Sequence, residues 1–127
     1  MPNNEWRQAF GPVSNALVNY WSGRLKPAKA MTLLLIAHRT LRWGKQWEFI
    51  SYNQIINGIP AGSDGIIYHT GIGVSRPRLT VYMQDLELRQ LIFVDRSKPY
   101  KLSRGYLYSL NIDTIVEPLG LGVDNHD

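Results

Sequence analysis

A chain of 127 residues with 44% hydrophobic and 19% charged residues has the size and composition of one domain with a single core. It holds no cysteine, which excludes a disulfide framework, a thiolate metal site and a cysteine nucleophile; its longest apolar run, Met31 with Leu33-Leu34-Leu35-Ile36-Ala37, is too short to span a bilayer, and its polar N-terminus is unlike a signal peptide. Net charge is +4, but residues 113–127 hold Asp113, Glu117, Asp124 and Asp127 and no Lys or Arg, which leaves 14 basic against six acidic groups, a net of +8, in the other 112 residues.

A basic body with an acidic end points to a polyanionic partner, in a protein expected to be soluble and cytoplasmic. Pro2, Asn3, Asn4, Gly11 and Pro12 make regular structure unexpected in residues 1–12, which read as an N-terminal arm pinned by Trp6 and Phe10. Ser14 is placed to cap a helix through Leu17, Val18 and Trp21 that stops near Gly23. Lys26-Pro27-Ala28 opens a central helix, roughly 28–42, with Gly44 as its stop. His38 lies within that helix, and no partner histidine or carboxylate is spaced with it for a metal. Phe49-Ile50 suggests a short strand, after which Ser51 caps a small helix, Tyr52 to Asn57, ended by Gly58.

A long glycine-rich connection, 59–72, then separates this small helix from a second capped one. That is far more than the three or four residues of a tight helix-turn-helix, and loops of such length are commonly functional. Ile66-Ile67-Tyr68 within it suggests a brief strand. Ser75 is the N-cap of the next helix and Pro77 sits just inside it, where a missing N–H costs nothing. Leu79, Tyr82, Met83 and Leu86 follow at i, i+3, i+4 and i+7 as one apolar stripe. Thr80, Val81 and Gln84 share the opposite face, with Arg76 and Arg78 at its N-terminal end. A helix that buries one side and turns small polar groups and arginines outward suits the major groove of DNA.

Leu91-Ile92-Phe93-Val94-Asp95 and Tyr106-Leu107-Tyr108-Ser109-Leu110-Asn111-Ile112 read as a hairpin around turn-forming Arg96-Ser97-Lys98-Pro99. Its far part carries Arg96, Lys98, Lys101 and Arg104 against Asp95. Helix, helix, basic hairpin is the winged-helix order. Residues 114–127, with Pro118, Gly120 and Gly122, read as a flexible acidic tail that competes electrostatically with a polyanion.

Enzyme motifs are weak. Gly71-Ile72-Gly73-Val74-Ser75-Arg76 opens like a dinucleotide fingerprint but has Arg where the third Gly belongs, and it lacks the βαβ setting. His38 and His69 have no recognisable nucleophile beside them. The expectation is a protein that is not an enzyme, with no metal, catalytic residue or small-molecule cofactor.

Three segments together suggest a family. They are His38-Arg39-Thr40-Leu41-Arg42-Trp43-Gly44-Lys45, Ile50-Ser51-Tyr52-Asn53-Gln54-Ile55 and Gly71-Ile72-Gly73-Val74-Ser75-Arg76-Pro77-Arg78. The stretch from about Asn15 to Ile92 resembles the N-terminal winged-helix domain of phage and plasmid replication proteins of the lambdoid replication protein O type. Ile72 and Arg78 depart from it, standing where threonine is common. The resemblance implies an α+β winged helix-turn-helix, a helical core with a C-terminal β-hairpin wing, over residues 13–113. It implies a sequence-preferring binder of double-stranded DNA, a transcriptional regulator or replication-origin binder of a phage or mobile element, with homodimerisation open. Arg78 and Gln84 are the expected base contacts, on guanine O6/N7 and adenine N6/N7. Ser75, Arg76, Arg96, Lys98, Lys101 and Arg104 are the expected phosphate contacts, beside Thr80 and Val81 on the same face. The rival reading is a winged-helix adaptor for another protein, without direct DNA readout.

Overall fold

Trp6, Ala9, Phe10, Val13, Ala16 and Leu17 recur at three- and four-residue steps, and in the structure they form the inward face of one helix, α1 (Pro2–Asn19). The structure is a computed structural model that describes residues 2–61, 68–97 and 105–124. Residues 2–12 are thus helical, where an irregular arm was expected. An interior proline costs a helix about 3 kcal/mol. Pro12 lies exposed on the outer side, and burial of the apolar stripe offsets it. Ser14 is an internal helix residue, not a cap, and its buried hydroxyl has no partner among the described residues.

A 3-10 turn (Trp21–Gly23) leads to α2 (Pro27–Arg39), which starts on Pro27 and buries Leu33, Ile36 and Ala37 completely. α2 stops at Arg39 with Thr40 as its C-cap, short of the expected 42, and Gly44, at a left-handed φ of 73, instead closes a separate 3-10 turn (Leu41–Trp43). Next come β1 (Glu48–Ile50) and α3 (Tyr52–Asn57). The Ser51 hydroxyl accepts from the Gln54 amide at 3.1 Å, while the Gln54 side chain accepts from the Ser51 amide at 3.3 Å, closing a capping box.

The long connection leaves α3 as β2 (Gly58–Ile59) and returns as β3 (His69–Thr70), paired antiparallel with Gly58 opposite Thr70. Of the expected Ile66-Ile67-Tyr68 strand, Tyr68 lies just before β3, and Ile66 and Ile67 lie outside the described residues. The base of the excursion is pinched tight. Gly58 sits at φ 82, and a Cβ on Gly71 would overlap the Ile56 carbonyl. The Ile72 and Gly73 amides donate to the Ile55 and Ile56 carbonyls at 2.9 and 3.1 Å.

α4 (Arg76–Leu88) follows at once, with the Ser75 hydroxyl accepting from the Arg78 amide at 3.3 Å. Its buried residues are Leu79, Tyr82, Met83 and Leu86, the stripe read from the sequence. β4 (Ile92–Asp95) and β5 (Tyr106–Leu110) pair antiparallel, Val94 opposite Tyr108. β1 joins on the far side of β5, with Ile50 opposite Tyr106, so the sheet order is β1-β5-β4.

The chain ends the described region in α5 (Ile112–Asp124). Ile112, Ile115, Val116 and Leu119 give it an apolar stripe that packs on α1, and the Trp21 indole N–H donates to the Ile115 carbonyl at 2.8 Å. Residues 114–124 are therefore a docked helix despite Pro118, where a flexible tail was expected; 125–127 lie outside the described residues. Among the described residues no helix is long and apolar enough to cross a membrane.

Among the described residues one charged side chain lies inside this α+β fold. Arg39, 3% exposed, donates to the Gln54 side chain at 3.0 Å and to the Phe49 carbonyl at 3.1 Å, and lies 3.4 Å from Glu48. Replacing Arg39 by Met removes its hydrogen bonds to Gln54 and Phe49 from the buried junction, while Glu48 keeps Lys45 at 3.3 Å. Arg39→Met is therefore expected to cost about 2–4 kcal/mol in urea unfolding, with an unchanged denaturant slope. A loss below about 0.5 kcal/mol, the size of an ordinary surface change, would show that Arg39 does not tie these elements together.

Candidate functional site

The outward face of α4 is the first place where the expected residues meet. Counting from its buried stripe, the centre of the exposed face is Pro77, Val81, Gln84 and Leu88. Arg76 and Thr80 lie on one flank and Arg78 on the other. Val81 is 59% and Leu88 83% exposed, so the middle of this face is apolar as well as polar. Ser75 is consumed as a cap, and the Thr80 hydroxyl donates back to the Arg76 carbonyl at 3.1 Å. The Arg76 guanidinium rests 5.7 Å from the centre of the Tyr52 ring on α3.

The charges on α4 are sorted by position. Asp85 is held by Lys29 of α2 at 2.6 Å and by Arg89 at 2.8 Å, and these hydrogen bonds keep its carboxyl below the usual carboxylate range. Glu87 takes a two-pronged contact from Arg96 at 2.8 and 3.0 Å, which likewise lowers it. Both carboxylates of the helix are thus neutralised by basic partners, whereas Arg76 and Arg78 form no ion pair among the described residues. The N-terminal half of α4 is left positive.

Arg96 was expected as a free phosphate contact, and the structure instead commits it to Glu87 at the base of the hairpin, near the Tyr106 ring. Lys98, Lys101 and Arg104 lie outside the described residues. The structure adds Lys26, which sequence reading treated only as a helix opener. Lys26, Lys29, Ser75, Pro77, Arg78, Val81 and Tyr82 line a groove of about 390 Å³ where the N-termini of α2 and α4 meet. Lys26 and Arg78 reach it from helices about fifty residues apart in sequence, and no local signal could pair them.

A second concavity, about 670 Å³, opens between α2 and the returning limb 68–72 of the long connection. His38 and His69 share it, their rings edge to face with centroids 6.2 Å apart. Burial lowers the pKa of each below the usual 6.5. Arg42 and then Arg39 push His38 down further, and Arg39 does the same to His69. A backbone hydrogen bond, to Tyr68 for His38 and to Thr70 for His69, opposes the shift.

No protein-family model matches the chain, and no curated protein or solved structure matches it either.

The histidines set a pH dependence. With folded pKa values below 6.5, their neutral forms contribute stability that is present above pH 6.5 and lost as pH falls through the folded values. Asp85 and Glu87, depressed from 3.8 and 4.5, lose their contribution only in more acidic solution. Urea midpoints are therefore expected to fall between pH 7 and pH 5, and the fall to flatten when both His38 and His69 are replaced by Phe. A wild-type midpoint that stays level across that window would contradict the assignment.

Proposed function

We propose that this chain is a winged-helix protein that binds double-stranded DNA with sequence preference, α4 lying in the major groove and the β4–β5 hairpin beside the backbone. The order helix α2, strand β1, helices α3 and α4, then strands β4 and β5 with β5 central supports the winged-helix reading. The pinched connection supports it too: Gly58 and Gly71 touch, so α3 and α4 are neighbours through a short path despite the long excursion.

The observation that carries DNA binding is the charge sorting on α4. Its carboxylates are cancelled from outside, while Arg76, Arg78 and the neighbouring Lys26 are left without acidic partners among the described residues. The resemblance of the stretch from about Asn15 to Ile92 to the N-terminal winged-helix domain of phage and plasmid replication proteins fits a non-enzymatic regulator or origin binder of a phage or mobile element, acting in the cytoplasm. Val81 and Leu88, exposed in the middle of the same face, favour the second reading, a surface for another protein.

The placement of Arg78 in the groove with Lys26 favours a phosphate role for it over the base contact expected from the sequence. Arg78 and Lys26 clamp one phosphate strand, and Gln84 with Val81 faces the base edges, where glutamine suits adenine and valine a thymine methyl. Lys26→Ala and Arg78→Ala should each weaken preferred and random duplexes alike and reduce the slope of log K against log salt by about one. Gln84→Ala should cost about 1–3 kcal/mol on the preferred duplex alone. Binding that is indifferent to salt and to these changes would favour the protein-partner reading.

A further inference from the structure

The 670 Å³ cleft is not part of the α4 face, and its chemistry is of another kind. Its walls are Phe10 of α1, one face of α2 (Met31, Leu34 and Leu35) and Ile72 of the returning limb. No Lys, Arg, Asp or Glu lines it among the described residues. Sites for small molecules are commonly apolar concavities of roughly 300–1,000 Å³ with a few convergent polar groups. Here the polar groups are the two imidazoles at one end.

The proton of His69 is assigned by geometry. His69 Nδ1 lies 3.2 Å from the Thr70 carbonyl oxygen, which can only accept, so Nδ1 carries the hydrogen. In a neutral ring Nε2 is then a bare acceptor. That atom is buried with no partner among the described residues, an arrangement folded proteins rarely leave unanswered. The lining of the cleft thus includes one unanswered acceptor, His69 Nε2, with the His38 ring beside it and no charged side chain to favour an ionic ligand.

We propose that this cleft binds a small, uncharged, largely apolar molecule that directs one N–H or O–H donor at the His38–His69 pair. The proposal is independent of DNA binding. The returning limb that forms one wall runs through Gly71 and Ile72 to the Ser75 cap of α4, so an occupant touches the segment that sets where α4 begins.

Indole and indene provide the test, since they share a shape and only indole has an N–H. Each is titrated into the full chain while backbone amide resonances are followed. The expected result is saturable shifts for indole at Met31, Leu34, His38, His69 and Ile72, with at least tenfold weaker binding of indene. Met31→Trp, which fills the cleft from a half-exposed position, should abolish both while resonances elsewhere stay in place. His38→Phe and His69→Phe should bring indole towards the affinity of indene. If one of these variants fails to fold, the other and Met31→Trp still decide the matter. Equal binding of the two probes, shifts that survive Met31→Trp, or no saturable shift at the cleft would overturn the proposal.

Discussion

A guanidinium cannot stay in a protein core without partners, and the partners of Arg39 determine where this fold's parts meet. The charge leaves α2 and is met by the β1 backbone at Phe49, by Glu48, and by the Gln54 side chain that also closes the cap of α3. α3 in turn offers the Ile55 and Ile56 carbonyls to the Ile72 and Gly73 amides, two residues before the Ser75 cap. Hydrogen bonds, joined by the backbone of α3, therefore link the buried charge to the segment just before α4.

The long excursion 59–72 is compatible with such a path because its ends are joined. Loop-closure entropy grows only slowly with length, so a long insertion whose base is pinned by strand pairing costs little more than a short one. Gly58 and Gly71 make the pinning possible, one by its left-handed φ and the other by lacking a Cβ against the Ile56 carbonyl. Lys29, reaching from α2 to Asp85, adds a second tether to α4 and removes a negative charge from it in the same contact.

Local chemistry was legible in the sequence. Ser51 and Ser75 cap the helices they precede, Gly58 ends α3, and the spacing of Leu79, Tyr82, Met83 and Leu86 names the buried face of α4. The two ends of the chain were misread for one shared reason. Pro12 and Gly11 in α1, and Pro118 and Gly120 in α5, argue against helix on propensity, and each helix persists because its apolar stripe is buried, the two packing on each other. The candidate site divides in the same way. Residues 75–84 were readable as one helix face, whereas the Lys26–Arg78 groove, the Glu87–Arg96 pair and the His38–His69 contact join segments that only tertiary structure brings together.

The central claim is that DNA meets this protein on the N-terminal half of α4 and the adjoining start of α2. Amide chemical-shift mapping with a duplex of about two helical turns tests it directly. The account predicts that the largest shifts cluster at Lys26 and residues 75–84 and shrink together as salt is raised. Shifts confined to other surfaces, such as the exposed Phe93 of β4, or no shifts at low salt, would contradict it.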